Sequence, residues 1–195
     1  NIGIPYYSEN RTKDLKIFNE PTWNGLSSTC QNITPEKNIC DGVVFVGKEM
    51  NYKLGNPKWE DRDKFILSKG HGVLGLYSAL AEVKIINESD LKKFEKSGGF
   101  LFGHPIMNIN KGIEVSSGSL GMGLSVGIGM AIGSIKKKLK NKVFVLVGDG
   151  ECNEGSNWEA FMSAPKYKLD NLFLIIDKNN LQQTGSNEEI MSIGN

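Results

Sequence analysis

The chain has 195 residues, with 23 Lys and Arg against 22 Asp and Glu, which suits one domain with a substantial core. Charges this evenly matched give no electrostatic argument for nucleic acid or for an acidic substrate. Three cysteines, Cys30, Cys40 and Cys152, are an odd number without C-x-x-C spacing and point to a reducing, cytoplasmic setting rather than a disulfide framework.

Residues 1–37 carry scattered Pro, Asn and Ser with little periodicity and read as an irregular N-terminal arm ahead of a single domain over 38–195. The first residue is Asn, no secretory leader is visible, and the last residues are polar loop sequence. A fragment, truncated at the C-terminal end of its domain, is therefore expected. Apolar spacing predicts a helix over 38–52. "ILSKGHG" reads as a short buried strand entering a glycine-bounded turn, with "VLGLYSALAEVKII" as the next helix. "NESDLKKFEKSG" carries a start signal at Ser89, a first-turn Asp90 and a closing Gly98.

From Gly118 to Ile135 eighteen residues carry no charge, and small residues recur four apart at Gly123/Gly127 and Gly129/Gly133. Six glycines make this a poor membrane span, so a buried helix whose glycines admit a close neighbour is expected. The following "KKKLKNK" reads as a solvated helix end, where cations meet the negative end of the dipole; no aromatic residues interleave the lysines as in a nucleic-acid surface.

The last third is the most regular. Val143–Val147 is a strand, about Gly155–Tyr167 a helix that Pro165 helps to end, and Leu172–Ile176 a second strand. Strands apolar on both faces belong to a parallel sheet, so the expected class is α/β, a mostly parallel sheet with helices on both faces. Ligands of such sheets sit beyond the carboxyl ends of the strands. Asp149 and Asn179 lie just past these two ends, 30 positions apart. A carboxylate and an amide oxygen in one small volume suit Mg²⁺, which keeps water or phosphate as its other ligands. Gly148 and Gly150 leave room for backbone N–H groups to meet a phosphate beside a helix N-terminus. Each half of the pattern alone reads more readily as a plain turn; the pair at two strand ends favours the cation.

GDG followed after about thirty residues by NN resembles the thiamine diphosphate fingerprint, in a form similar to transketolase. Four further blocks agree in order: "DRDKFILSKGHG", "GFLFGHP", "GIEVSSGSLGMGLSVGIGMAIG" and "YKLDNLFLIIDKNNLQQTG". The style resembles that of bacterial split transketolases, whose diphosphate-binding and pyrimidine-binding halves are separate chains. The resemblance implies a thiamine diphosphate-binding fold and two cofactors, thiamine diphosphate and Mg²⁺. It implies Asp149 and Asn179 as side-chain metal ligands, with the Leu181 carbonyl as a third. Gly150, beside Gly148, resembles the amide contact to the diphosphate, and His71 the histidine next to it. His104 resembles the histidine facing thiazolium and substrate. Gly118, Ser119 and Leu120 resemble the aminopyrimidine segment, and Glu154 an acidic residue linking the two halves.

The implied reaction moves a two-carbon ketol unit from a ketose to an aldose, commonly as phosphates. The chain would work with a pyrimidine-binding subunit, in a hetero-oligomer (a dimer of heterodimers), and be inactive alone. Lys69 and Ser68 are read either as neutralising the diphosphate or as solvated. Cys152 is read as packing rather than reacting. One departure stands out: a further family histidine, roughly forty residues before His71, is replaced in "STCQNITPEKNICDG" by Gln31 or Asn32, neither a general base near neutral pH. Rival readings are another thiamine diphosphate enzyme, of 2-oxo-acid dehydrogenase or deoxyxylulose phosphate synthase type, and a non-catalytic transketolase-like partner.

Overall fold

The computed structural model describes residues 50–194. A three-stranded parallel sheet, ordered β1-β2-β3, is built from β1 (Lys64–Leu67), β2 (Val143–Gly148) and β3 (Leu172–Asp177). Central β2 is buried along its whole length, which is why Val-Phe-Val-Leu-Val carries no polar alternation. Its residues divide by parity. Val143, Val145 and Val147 pack with Ile66, Leu124, Ile128 and Ala160, while Phe144 and Leu146 pack with Phe65, Leu67, Leu76 and Tyr77. Helices therefore cover both faces, as the strand composition requires.

Helix α1 (Val73–Glu82) covers the second of these faces and stops where Lys84 turns left-handed at φ 64°. The expected helix over 38–52 falls almost wholly outside the described residues; positions 50–52 are not helical. Helix α2 (Glu88–Leu91) is a single turn capped by Asn87, not by Ser89. Asn87 has an acid at the third helical position, Asp90, whose carboxylate accepts the Asn87 N–H at 3.1 Å. The third position counted from Ser89 is Lys92, which has no acceptor to return, so the reciprocal cap forms one step earlier.

Helix α3 (Met122–Lys136) is the uncharged glycine-rich segment, and no described helix is long and apolar enough to cross a membrane. Its glycines serve two situations. A Cβ on Gly127 would lie 2.5 Å from Val145 Cγ2, whereas one on Gly129 or Gly133 would meet nothing within 4 Å. Gly127 lets the helix lie against the sheet; Gly129 and Gly133 simply face open space. Lys136, Lys137 and Lys138 are exposed, with Lys137 paired to Glu60 at 3.0 Å. Helix α4 (Gly155–Lys166) follows β2 and carries Pro165 in its last turn, where the missing N–H does least damage. After β3 come a short hairpin, β4 (Leu181–Gln182) with β5 (Gly185–Ser186), and α5 (Asn187–Ile190).

Candidate cofactor site at the carboxyl ends of the strands

The ladder between β2 and β3 runs in register to Gly148 opposite Asp177, and the Asp149 N–H still donates to the Asp177 carbonyl at 3.1 Å. The two strands are thus neighbours, and the turn after each opens on the same sheet edge. Asp149 is 1% exposed. Its Oδ1 accepts the Gly150 N–H at 2.9 Å. Its Oδ2 accepts the Asn180 N–H at 2.8 Å and Asn187 Nδ2 at 2.7 Å. Three N–H donors compensate the cost of burying this charge.

Asn179 is oriented by its own surroundings. Its Nδ2 donates to Asp177 Oδ2 at 3.3 Å, and its Oδ1 accepts the Leu181 N–H at 2.9 Å. Asn180 adopts φ 60°, a left-handed conformation that asparagine tolerates better than branched residues, and this turn carries the chain from Asn179 into Leu181. Leu181 is 64% exposed. Among the described residues no cluster of three or more His, Cys, Asp or Glu could hold a metal. What the edge brings together instead is the Asp149 carboxylate and the turn that carries the Asn179 amide, hard oxygen donors that fit Mg²⁺ better than a soft metal.

The two glycine amides are less free than their sequence suggests. The Gly148 N–H donates to Glu151 Oε2 at 3.0 Å and the Gly150 N–H to Asp149. A Cβ on Gly150 would meet Gln182 Cγ at 3.0 Å, so Gln182 already covers that glycine. A phosphate at Gly150 would share its N–H with Asp149.

Neither Lys69 nor Ser68 is solvated. Lys69 Nζ pairs with Asp177 Oδ2 at 2.7 Å, with only 4% of its side chain exposed. Ser68 is fully buried and its hydroxyl donates to Glu151 Oε1. His71 lies beyond them in the helical turn Gly70–Gly72. Partial burial lowers its pKa, then Lys69 and His104 lower it further, against Glu151 and Asp177, which raise it.

Gly70 sits so close to the next segment that a Cβ would lie 2.8 Å from the Ser117 carbonyl oxygen. His104, exposed, has its Cδ2 3.4 Å from where a Gly118 Cβ would be. His71, His104 and Gly118 are thereby collected on one side of the edge. Exposed Ser119 and half-buried Leu120 lead from there into Gly121, the N-cap of α3 at φ 80°. Exposed Glu154 occupies the N-cap position of α4, and its Cβ would lie 2.6 Å from a Cβ on Gly121. Cys152 is buried, and burial together with Glu151 and Asp149 pushes its thiol up to about 11, as expected of a packing cysteine.

Sequence reasoning missed Glu151, Asp177 and Asn187. Asp177 had a signal, a lone charge at the end of an apolar strand. Glu151 had none, since an acid just ahead of a helix usually complements the dipole from the surface. Asn187 is buried against Asp149 with its own Oδ1 unpartnered.

An α/β domain with oxygen donors at the ends of adjacent parallel strands is the class this geometry defines. Residues 41–193 match the family described as the transketolase thiamine diphosphate binding domain, and the chain belongs to that family. It is 48% identical over 131 residues to one of the subunits of the apulose-4-phosphate transketolase of Actinobacillus succinogenes, covering 67% of this chain and 48% of that protein. It is 40% identical over 135 residues to the 6-deoxy-6-sulfo-D-fructose transketolase subunit SqwG of a Clostridium species, covering 69% and 49%. The chain spans about half the length of the curated subunits it matches. Among solved structures, transketolase from Leishmania mexicana superposes with a TM-score of 0.71 at 29% identity, over 80% of this chain and 25% of that one.

Proposed function

We propose that the chain is the diphosphate- and Mg²⁺-binding part of a thiamine diphosphate-dependent transketolase. It would transfer a two-carbon ketol unit between sugars or sugar phosphates in carbohydrate metabolism, in the cytoplasm. A separate pyrimidine-binding subunit would complete the site in a dimer of heterodimers; two similar relatives are themselves named as transketolase subunits. The observation that carries the reading is the meeting of Asp149 with the Asn179–Leu181 turn at one sheet edge.

When bound, thiamine diphosphate supplies the electron sink that lets a carbon–carbon bond of the donor sugar break. The chain's own residues bind and orient. Asp149, Asn179 and the Leu181 carbonyl would hold Mg²⁺, and Asp177 turns the Asn179 amide so that its oxygen, not its nitrogen, is left on the donor side. Gly150 would contact the diphosphate, beside Gly148. Gly118, Ser119 and Leu120 would line the aminopyrimidine. His71, whose proton affinity in the cofactor-free fold is lowered by partial burial and then by Lys69, would offer a ring N–H to the diphosphate. His104, open to solvent beside Gly118, would face the substrate, and Glu154 would reach the partner chain.

The test is native mass spectrometry of the full-length gene product with whatever chain accompanies it, followed by a donor screen of ketose phosphates against 2-oxo acids. A two-chain complex carrying thiamine diphosphate and Mg²⁺ that turns over ketoses supports the reading. Turnover of 2-oxo acids alone, or a cofactor-loaded complex inert to every donor, overturns it.

A further inference from the structure

We propose that Glu151 is a positioning residue whose buried carboxylate ties the ends of β1 and β2 and the start of α3 into one cradle under the cofactor site. The proposal rests on the cofactor reading above for its purpose, though not for its geometry. Glu151 is 3% exposed. Its Oε1 accepts the Gly121 N–H at 2.8 Å and the Ser68 hydroxyl; its Oε2 accepts the Gly148 N–H at 3.0 Å. Ser68 Oγ in turn accepts the Gly123 N–H at 3.2 Å. A carboxylate is costly to bury unless hydrogen-bonded, and here every donor comes from backbone or from Ser68.

The first N–H groups of a helix have no partner within it. Helix α3 starts on Gly121, which has no side chain to cap them. Glu151 and Ser68 do this from outside, and the negative charge stands at the positive end of the helix. The approach leaves no slack: a Cβ on Gly123 would lie 2.5 Å from Ser68 Cβ.

What Glu151 holds is what the site needs placed. Leu120 and Ser119 precede Gly121 directly, Asp149 follows Gly148 directly, and His71 comes one short turn after Ser68. Three loops that the sheet topology only brings near one another are fixed to a single side chain. A glutamate that served stability alone would leave cofactor affinity unchanged in the folded protein. One that sets loop spacing alters affinity even where the fold is intact.

The experiment uses Glu151→Gln and Ser68→Ala in the full-length gene product with its co-purifying chain. Glutamine keeps the shape but turns an NH₂ toward one of the N–H donors. Two quantities are read well below each variant's melting temperature: hydrogen exchange at the Gly121, Gly123 and Gly148 amides without cofactor, and the dissociation constant for thiamine diphosphate with Mg²⁺. We expect exchange at Gly121 and Gly148 to rise together in Glu151→Gln, with affinity about tenfold weaker. Ser68→Ala should raise exchange chiefly at Gly123 and weaken affinity less. Unchanged affinity in folded Glu151→Gln overturns the proposal, as does faster exchange confined to one of its two amides. Should Glu151→Gln not fold, unchanged affinity in Ser68→Ala overturns it instead. Wild-type protein that takes up no thiamine diphosphate refutes the cofactor reading, while the exchange pattern still decides whether the clamp exists.

Discussion

Lys69 Nζ lies 2.7 Å from Asp177 Oδ2, an ion pair that reaches across β2 from the end of β1 to the end of β3. With side chains 4% and 15% exposed, neither partner is well hydrated. Breaking such a pair from one side leaves a buried charge uncompensated, which is worse than removing both. Asp177→Asn should therefore destabilise the chain by about 3 kcal/mol. Adding Lys69→Met should recover most of that loss. Urea unfolding of the single and double variants checks this; an Asp177→Asn protein as stable as wild type would show the pair to be structurally idle.

Asn187 is the donor that Asp149 gains from furthest along the chain, at 2.7 Å. Removing it in Asn187→Ala leaves Asp149 with two backbone donors and a freer rotamer. With Asp149 as the proposed Mg²⁺ ligand, an outer partner of this kind typically matters by a factor of about 10 or more, so Mg²⁺ affinity measured through cofactor uptake should fall about tenfold. Asn187→Asp, which sets a second carboxylate against Asp149, should instead cost stability in the metal-free chain by like-charge repulsion. Equal Mg²⁺ affinity in wild type and Asn187→Ala would remove Asn187 from the site.

The α3 glycines allow a paired prediction. Gly127→Ala places a methyl 2.5 Å from Val145 Cγ2 and should cost about 1–3 kcal/mol. Gly129→Ala meets nothing within 4 Å and should stabilise the isolated chain by about 0.5–1 kcal/mol through lower unfolded-state entropy. Thermal unfolding separates the two; the idea fails if both shifts have the same sign.

His71 titrates below the ordinary imidazole value of about 6.5 in the cofactor-free fold, because partial burial and the Lys69 charge both disfavour its cation. A depressed histidine binds its proton more readily when unfolded. Its contribution to stability is thus fully present above about pH 6.5 and is lost as pH falls through the lower folded value. An NMR titration of the two histidine rings, with His71→Gln for assignment, should give His71 a midpoint under 6.5 and the variant a flatter acid limb. A His71 midpoint above that value would contradict the charge arrangement around it.

The strands β2 and β3, the helix between them and its end close to Pro165 are legible in the sequence because each depends on local pattern or on a residue with a fixed backbone preference. Asp149 and the Asn179 turn are legible as neighbours because parallel pairing of β2 and β3 follows from the same patterns. The cap of α2 is harder to place because Asn87 and Ser89 are both good caps, and only the acid three positions on from Asn87 decides between them. Gly148 and Gly150 look like free donors because nothing local in sequence says that Glu151 and Asp149 already use their N–H groups. Glu151 itself stays hidden for a related reason. Its burial is created by Ser68 and Gly121, which reach it only once distant loops have closed.

The register of the sheet also sets when this edge can exist. Lys64 pairs with Val143, and Val143 with Leu172, so the sheet's longest closure joins the earliest described strand to one nearly eighty positions later. Closures of that length cost chain entropy before any pairing repays it, and parallel pairings form slowly. On a ribosome, Asp149 would emerge well before the turn at Asn180 that binds it. A ligand of this edge therefore cannot guide the early chain. A ligand that needs both Asp149 and this turn would meet them only after both have formed, and would then hold the fold by mass action.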